Sequence, residues 1–241
     1  MISSSKGVPM AAETTAITLL WEQWSAPRRG PKPTLSLDAI AAAGIEIADA
    51  DGLAAVTMQR VAERLDVTKM ALYRYVPGKA ELVALMVDLA VGEPPPPETA
   101  AGAWRPGLEA WARRLHARFQ AHPWALEVTV GARATGPNEL AWLEQATAAL
   151  TGTGLTGPQK LDVAATLTGH VRMIAQHAAV SPADAPEQAM ADTMNALLAG
   201  REDRFPTLTE ALADPSGKDE ALDFGMRCIL DGVELLIGRS R

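Results

Sequence analysis

Residues 57–79 read TMQRVAERLDVTKMALYRYVPGK, and this stretch decides how the rest of the chain is interpreted. Four apolar residues are spaced as on one face of a first short helix: Met58, Val61, Ala62 and Leu65. Thr68 suits the N-cap of a second helix, because its hydroxyl can accept a hydrogen bond from an unpaired backbone N–H. Pro77-Gly78 ends that second helix, which the pattern predicts over 69–76.

The second helix spans only about two turns, so it must be held by its neighbours. Ala71, Leu72 and Val76 are its candidates for packing inward. The remaining face carries polar and large side chains, with the last of them at its edge: Lys69, Met70, Tyr73, Arg74 and Tyr75. A short helix that follows a tight turn is typical of the helix-turn-helix, whose second helix enters the DNA major groove.

The only two tyrosines of the chain, Tyr73 and Tyr75, both lie in this short helix. A phenol can contact a phosphate through its hydroxyl while its ring packs on a sugar or a thymine methyl. The alternative is that these rings wall a small core. Nearby cations at Lys69, Arg74 and Lys79 favour the DNA-binding interpretation.

An extended arm precedes this region, because Pro and Gly interrupt RRGPKP at 28–33. Its cations, Arg28, Arg29 and Lys32, suit a phosphate backbone or a minor groove, although a solvated linker would look the same. Ser36 can cap a helix that runs to about residue 50 and ends before Gly52. One apolar stripe of that helix is formed by Leu37, Ile40, Ala41, Gly44, Ile47 and Ala48.

A further helix begins near Lys79 and is predicted to bury Leu82, Leu85, Met86 and Leu89. GEPPPP at 92–97 then forms a stiff break. We therefore predict an N-terminal extension over 1–27, a DNA-binding domain over 28–91, a Pro-rich linker over 92–103 and a larger helical domain over 104–241.

Composition favours an all-α fold, since the 241 residues are 48% hydrophobic but include only three Phe and two Tyr. The net charge of −7 is unevenly distributed: residues 28–79 carry +2 and the remainder carries −9. A local basic face on an acidic body is expected of a selective DNA-binding protein.

Further helices are predicted over 12–24, 104–121, 124–131, 138–150, 158–180, 186–199, 206–213 and 218–237.

Two of these helices, 158–180 and 218–237, have long apolar faces that suit pairing between subunits, although packing within one chain is the alternative. The first face includes Leu161 and the second includes Leu236. The single cysteine, Cys228, lies in an apolar pattern and is expected in the core. No apolar run reaches the ~20 residues that span a bilayer, and no signal peptide is evident, so we expect a soluble cytoplasmic protein.

The segments quoted next resemble TetR-type transcriptional repressors, in particular the tetracycline-repressor branch. They are RRGPKPTLSLDAIAAAGIEIADADGLAAVTMQRVAERLDVTKMALYRYVPGKAELVALMVD from residue 28, WRPGLEAWARRLHARFQAHPWALE from residue 104 and DFGMRCILDGVELLIG from residue 223. The resemblance implies an all-helical homodimer that binds a palindromic operator and is released by a small-molecule inducer. An all-helical enzyme or an effector-independent DNA-binding protein remains the alternative. Motifs such as HExxH, GxSxG and a Gly-rich phosphate loop are absent, so we expect no enzymatic activity.

By this resemblance, Gln59 and Arg60 reach bases or phosphate, and Thr57 binds phosphate. Lys69, Met70 and Ala71 face base edges. The candidate DNA-binding residues are Arg28, Arg29, Lys32, Thr57, Gln59, Arg60, Thr68, Lys69, Met70, Ala71, Tyr73, Arg74, Tyr75 and Lys79. Asp66 stands in the turn where the family usually has Gly, and Asp tolerates the left-handed conformation better than most residues.

The larger domain is predicted to enclose a pocket for a flat apolar effector, because it is rich in aromatic residues and contains methionine. The candidate pocket residues are Trp111, His116, Phe119, Trp124, Trp142, His170, Met173 and His177. The alternative is that most of them are ordinary core. His170 and His177 lie about 10.5 Å apart along a helix, too far to bind one metal by themselves, so neither a metal nor a cofactor is predicted.

Overall fold

The computed structural model describes residues 15–21, 35–97, 103–131, 133–180, 186–214 and 221–239. Within these ranges the regular structure is helical and no residue lies in a strand, which confirms the predicted all-α class. The helices are α1 (15–21), α2 (Leu37–Asp51), α3 (Met58–Arg64), α4 (Lys69–Tyr73), α5 (Lys79–Val91), α6 (Trp104–Ala121), α7 (Ala125–Val128), α8 (Pro137–Ala149), α9 (Gly157–Val180), α10 (Pro186–Leu198), α11 (Pro206–Ala213) and α12 (Ala221–Arg239).

The chain forms two compact units. The first unit combines residues up to 98 with 117–148, and the second combines 99–116 with 149–241. The first unit thus contains the helix-turn-helix together with the end of α6, all of α7 and nearly all of α8. The domain boundaries given above remain a prediction.

Three hydroxyl side chains set the beginnings of the N-terminal helices. The side chains of Ser36, Thr57 and Thr68 each accept a hydrogen bond of 3.2 Å from the backbone N–H three residues later. Such a bond satisfies one of the donors that a first helical turn leaves unpaired. The predicted caps at Ser36 and Thr68 are therefore confirmed.

The turns between these helices use left-handed backbone at two predicted positions. Gly52 has a φ of 80° and its N–H bonds to the Ala48 carbonyl, which ends α2. Asp66 has a φ of 53° in the turn between α3 and α4. An aspartate adopts this conformation at modest cost, so the turn forms without the usual glycine.

The helices α2 to α5 enclose the core of the DNA-binding region. Its fully buried side chains include Ile40, Val56, Val61, Leu72, Val76, Leu82 and Met86. Gly44 allows α2 to approach α5 closely, because a Cβ at this position would lie 2.6 Å from the Met86 sulfur. Burial of Leu72 and Val76 fixes the short helix α4 from beneath, as predicted.

The second helix of the helix-turn-helix, α4, is shorter than predicted, since it ends at Tyr73 rather than at residue 76. The N–H groups of Tyr75 and Val76 both bond to the Leu72 carbonyl, so the chain tightens into a turn. Val76 precedes Pro77, and the proline ring disfavours helical backbone at the residue before it.

The prediction of which α5 residues are buried is wrong at one position. Leu89 is exposed, whereas the neighbouring Asp88 is buried along with Leu82, Leu85 and Met86. The carboxylate has buried backbone donors as partners, which are described below, and this allows an acidic side chain to replace an apolar one in the interior.

In the second unit, α9 packs against α12. The buried residues of these two helices are Val163, Ala164, Leu167, Val171, Ala175, Met226, Leu230, Val233 and Ile237. Cys228, which was expected in the core, is instead exposed. Leu161 and Leu236, which belong to the faces predicted to pair between subunits, are also exposed. They lie on the sides of α9 and α12 that face away from the intrachain contact.

The N-terminal extension contributes one described helix, α1. Ala16 and Leu20 are buried, and the Trp21 indole N–H donates to the Thr135 carbonyl at 3.3 Å. The predicted helix over 12–24 is observed for residues 15–21, and its other residues lie outside the described ranges. In the part of the chain that the structure describes, no helix is long and apolar enough to cross a bilayer.

Candidate nucleic-acid interface

The outer surface of α4 carries the side chains that the sequence assigned to DNA. Met70 is 73% exposed, and Tyr73 and Tyr75 are 38% and 40% exposed. The Lys69 ammonium lies 5.7 Å from the centroid of the Tyr73 ring, a cation–π contact that keeps the charge at the surface. Ala71 is half-buried between this surface and the core.

The first turn of α3 places two further candidates at the surface. Gln59 donates to Glu63 at 2.7 Å, and Arg60 pairs with Asp51 at 2.6 Å. Both contacts are exposed, so exchanging them for a phosphate or a base edge costs little. The Thr57 hydroxyl accepts from the Arg60 N–H, and its own O–H can donate to a phosphate oxygen.

Lys79 begins α5, and its Nζ donates to the Leu53 carbonyl at 3.4 Å. The other candidates on this surface, Thr68 and Arg74, are also exposed. The folded chain thus brings the candidates from Thr57 to Tyr75 into the helix-turn-helix and its flanking turn, and Lys79 follows at the start of α5. Their contacts with DNA remain predictions. The arm residues Arg28, Arg29 and Lys32 lie outside the described residues.

A polar cluster missed by the sequence interpretation joins α2 to the segment between α6 and α7. The Asp49 carboxylate lies 2.9 Å from the His122 Nδ1 and accepts from the Trp124 indole N–H at 2.7 Å. Asp49 is near the end of α2, so these contacts bind the DNA-reading helices to residues 117–148 of the same unit. Nothing in the local spacing indicates a pairing across more than seventy residues.

A second missed contact joins α5 to the start of α8. The Asp88 Oδ1 accepts from the backbone N–H groups of Asn138 and Glu139 at 3.0 and 3.2 Å. The Asn138 side chain returns a hydrogen bond to the Asp88 carbonyl at 3.0 Å. A side chain at Gly136 would collide with the Asp88 carboxylate, so the approach requires glycine there. Asp88 therefore caps α8 from another helix.

Burial raises the pKa of Asp88 from 3.8 to about 6, and the nearby Glu139 carboxylate adds to the increase. The two backbone N–H donors and the Arg133 guanidinium oppose it. Since the folded pKa lies above the unfolded one, the folded state binds this proton more tightly. The contribution of Asp88 to stability consequently falls as the pH rises from about 4 to about 6.

Asp88→Asn keeps an acceptor oxygen at this position and removes the buried charge. We expect the free energy of unfolding of the variant, relative to that of the parent chain, to increase by up to about 3 kcal/mol as the pH rises from 4 to 7. Chemical denaturation at several pH values measures the difference. Asp162→Asn, which removes an exposed charge, corrects for net charge, and a parent–variant difference independent of pH would contradict this assignment.

The candidate pocket residues are divided between the two units. Phe119, Trp124 and Trp142 are buried in the first, where the Trp142 indole N–H donates to the Gly92 carbonyl at 2.8 Å. The other five belong to the second unit: Trp111 is buried, His116 and His170 are half-buried, and Met173 and His177 are exposed. The indole contacts of Trp124 and Trp142 give these two residues structural partners. Their role in a pocket remains a prediction.

Comparison with known proteins places these features in a family. Residues 96–237 match the family described as "Tetracyclin repressor-like, C-terminal domain", and residues 40–86 match "Bacterial regulatory proteins, tetR family". The HTH-type transcriptional repressor DrrR1 of Streptomyces coeruleorubidus is 35% identical over 237 residues, which cover 93% of this chain and 87% of that protein.

Two solved structures of ActR from Streptomyces coelicolor are similar to the chain. The apo structure aligns with a TM-score of 0.75 at 24% identity and covers 88% of this chain and all of that one, which shows the shared fold. The complex with actinorhodin aligns with a TM-score of 0.72 at 25% identity and covers 85% and 96% of the two chains. The chain therefore belongs to the TetR family and is a helix-turn-helix transcriptional repressor with a tetracycline-repressor-like C-terminal domain.

Proposed function

We propose that the chain represses transcription as a homodimer on a palindromic operator and that a small-molecule effector releases it. The observation that most supports this proposal is the exposed face of α4, where Lys69, Met70 and Tyr73 lie above the buried Leu72 and Val76. A rigidly held helix with a polar outer face can enter the major groove with its side chains at the base edges.

The dimer surface is proposed on α9 and α12. Exposed residues recur every four positions along α9 at Leu161, Ala165, Gly169 and Met173. Phe224, Cys228 and Leu235 are exposed along one side of α12. An apolar surface that two helices of one chain leave uncovered supports pairing with the same surface of a second copy.

Effector control requires a path from the ligand to the reading helices. The contacts of Asp49 with His122 and Trp124 and of Asp88 with Asn138 and Glu139 supply one within the first unit. An effector that favours a different position of α7 or α8 would shift α2 and α5, and with them the distance between the two helix-turn-helix units of the dimer. The two copies of α4 must lie about 34–36 Å apart to read successive major grooves. The ActR complex with actinorhodin supports control by a small molecule.

Effector control can be tested with a labelled operator duplex and a compound collection. Compounds that raise the melting temperature of the protein bind its folded state. We expect some of these compounds to lower the fluorescence anisotropy of the protein–operator complex at fixed salt. If every stabilising compound leaves operator affinity unchanged, release by an effector is excluded for the collection tested and the effector-independent alternative is favoured.

A further inference from the structure

One buried nitrogen in the second unit has no hydrogen-bond partner. The Nε2 atom of His116, on α6, is the single side-chain nitrogen or oxygen in this state among the residues that the structure describes. Buried polar atoms are nearly always paired, so an orphan of this kind indicates a missing partner such as a water or a ligand. The chemistry around the ring decides between these two kinds of partner.

Contacts join α6, α9 and α12 close to His116. His170 of α9 lies close enough to His116 to affect its charge, and the His170 Nε2 lies 3.0 Å from the Leu222 carbonyl of α12. A carbonyl only accepts, so the His170 Nε2 carries a proton and donates it. Any side chain at Gly225 would collide with the His170 ring, so the α12 backbone holds this imidazole in place. One turn before His116, Arg113 pairs with Asp223 at 2.6 Å.

His116 is uncharged near neutral pH. Burial lowers the pKa of its imidazole, and the proximity of His170 lowers it further. A neutral imidazole gives little compensation to a buried anion, whose desolvation would be unfavourable here. It pairs well with an uncharged oxygen, because a neutral ring nitrogen either donates or accepts according to the tautomer.

We propose that the His116 Nε2 is a hydrogen-bonding contact for the effector, and that the effector presents an uncharged hydroxyl or carbonyl oxygen to it. The inference rests on the proposed effector function and changes the predicted chemistry of the effector. The sequence predicted a flat apolar ligand, whereas the unpaired nitrogen favours a ligand that carries a polar group on its buried part. A structural water is the competing partner, and it would need further polar neighbours to be held.

A first experiment needs no ligand. His116→Leu removes the unpaired nitrogen and retains apolar volume, so the ligand-free variant should melt at the same temperature as the parent or up to about 4 °C higher. Binding sites commonly trade stability for function in this way. A clear fall in melting temperature, together with its recovery in His116→Gln, would identify a structural partner for the nitrogen and overturn the proposal.

A second experiment uses 2-naphthol and naphthalene, which differ by one hydroxyl, as probes. We expect calorimetry to show 2-naphthol binding the parent chain roughly three- to tenfold more tightly, the gain of one neutral hydrogen bond. His116→Leu should abolish this preference, and Gln120→Leu, which alters an exposed polar residue of the same helix, should keep it. Equal affinities in the parent, a preference that survives in His116→Leu, or binding of neither probe would each overturn the proposal.

Operator binding separates this inference from the proposed function. All three proteins should bind the operator duplex equally in the absence of a probe, because His116 lies outside the helix-turn-helix. A parent chain that prefers 2-naphthol but binds no operator would contradict the proposed function and leave the ligand contact standing. A hydroxyl preference without any effect of the probe on a bound operator would confirm the contact and remove its effector role.

Discussion

Replacing Lys69 by alanine is expected to weaken operator binding by about 10- to 100-fold and to relax base preference at one position of each half-site. Lys69 is the first residue of α4, and its ammonium is exposed beside the Tyr73 ring. We expect a cation at the N-terminal end of α4 to contact base edges or the phosphates beside them. Anisotropy titrations with the operator and its single-base variants at one salt concentration measure both effects.

Arg64→Ala is the matched control for Lys69→Ala. It also removes one positive charge from the helix-turn-helix. Arg64, however, is the last residue of α3, and its side chain pairs with Glu46 of α2. We expect less than a threefold change in affinity and no change in base preference, because an exposed charge away from the groove contributes little. An effect of Lys69→Ala no larger than this would remove Lys69 from the interface.

Replacing Leu235 by glutamate is expected to convert the protein from dimer to monomer and to lower operator affinity by roughly 10²–10⁴-fold. Leu235 lies on the exposed side of α12, and the symmetry of an isologous dimer would repeat the new charge on the partner. A single head then binds only one half-site and loses the gain from a linked second contact. Sedimentation equilibrium and anisotropy titrations give the two quantities.

Val130→Glu provides the control, because Val130 and Leu235 are both 66% exposed and the substitution is chemically similar. Val130 follows α7 in the first unit and is not among the residues of the proposed dimer surface on α9 and α12. The control should remain dimeric with unchanged operator affinity. A dimeric Leu235→Glu protein with full affinity would exclude this side of α12 from the interface.

The helices of the DNA-binding region could be predicted because their signals are local. Ser36 and Thr68 lie at the caps that their hydroxyls predicted, and Asp66 adopts the left-handed turn. Leu72 is buried because the spacing of apolar residues within a short helix fixes its inner face, and Val76 is buried in the turn that follows. These features depend on residues within about four positions of one another.

The contacts that join distant segments could not be predicted in the same way. Asp88 was indistinguishable from an exposed acid until its partners at Asn138 and Glu139 were located. The pairing of Trp124 with Asp49 is likewise a product of the tertiary fold. Cys228 was expected in the core because it lies in an apolar helical pattern, and only the packing of α9 against α12 shows which side of the helix is covered.

In the proposed homodimer, two copies of α4 are presented together at the pitch of the double helix. Selection of bound sequences from a random DNA pool, followed by sequencing, tests this claim most directly. We predict an enriched palindrome whose half-site centres lie about 10–10.5 base pairs, or a multiple of that distance, apart. Enrichment of a single unpaired half-site, or of no sequence at all, would contradict it.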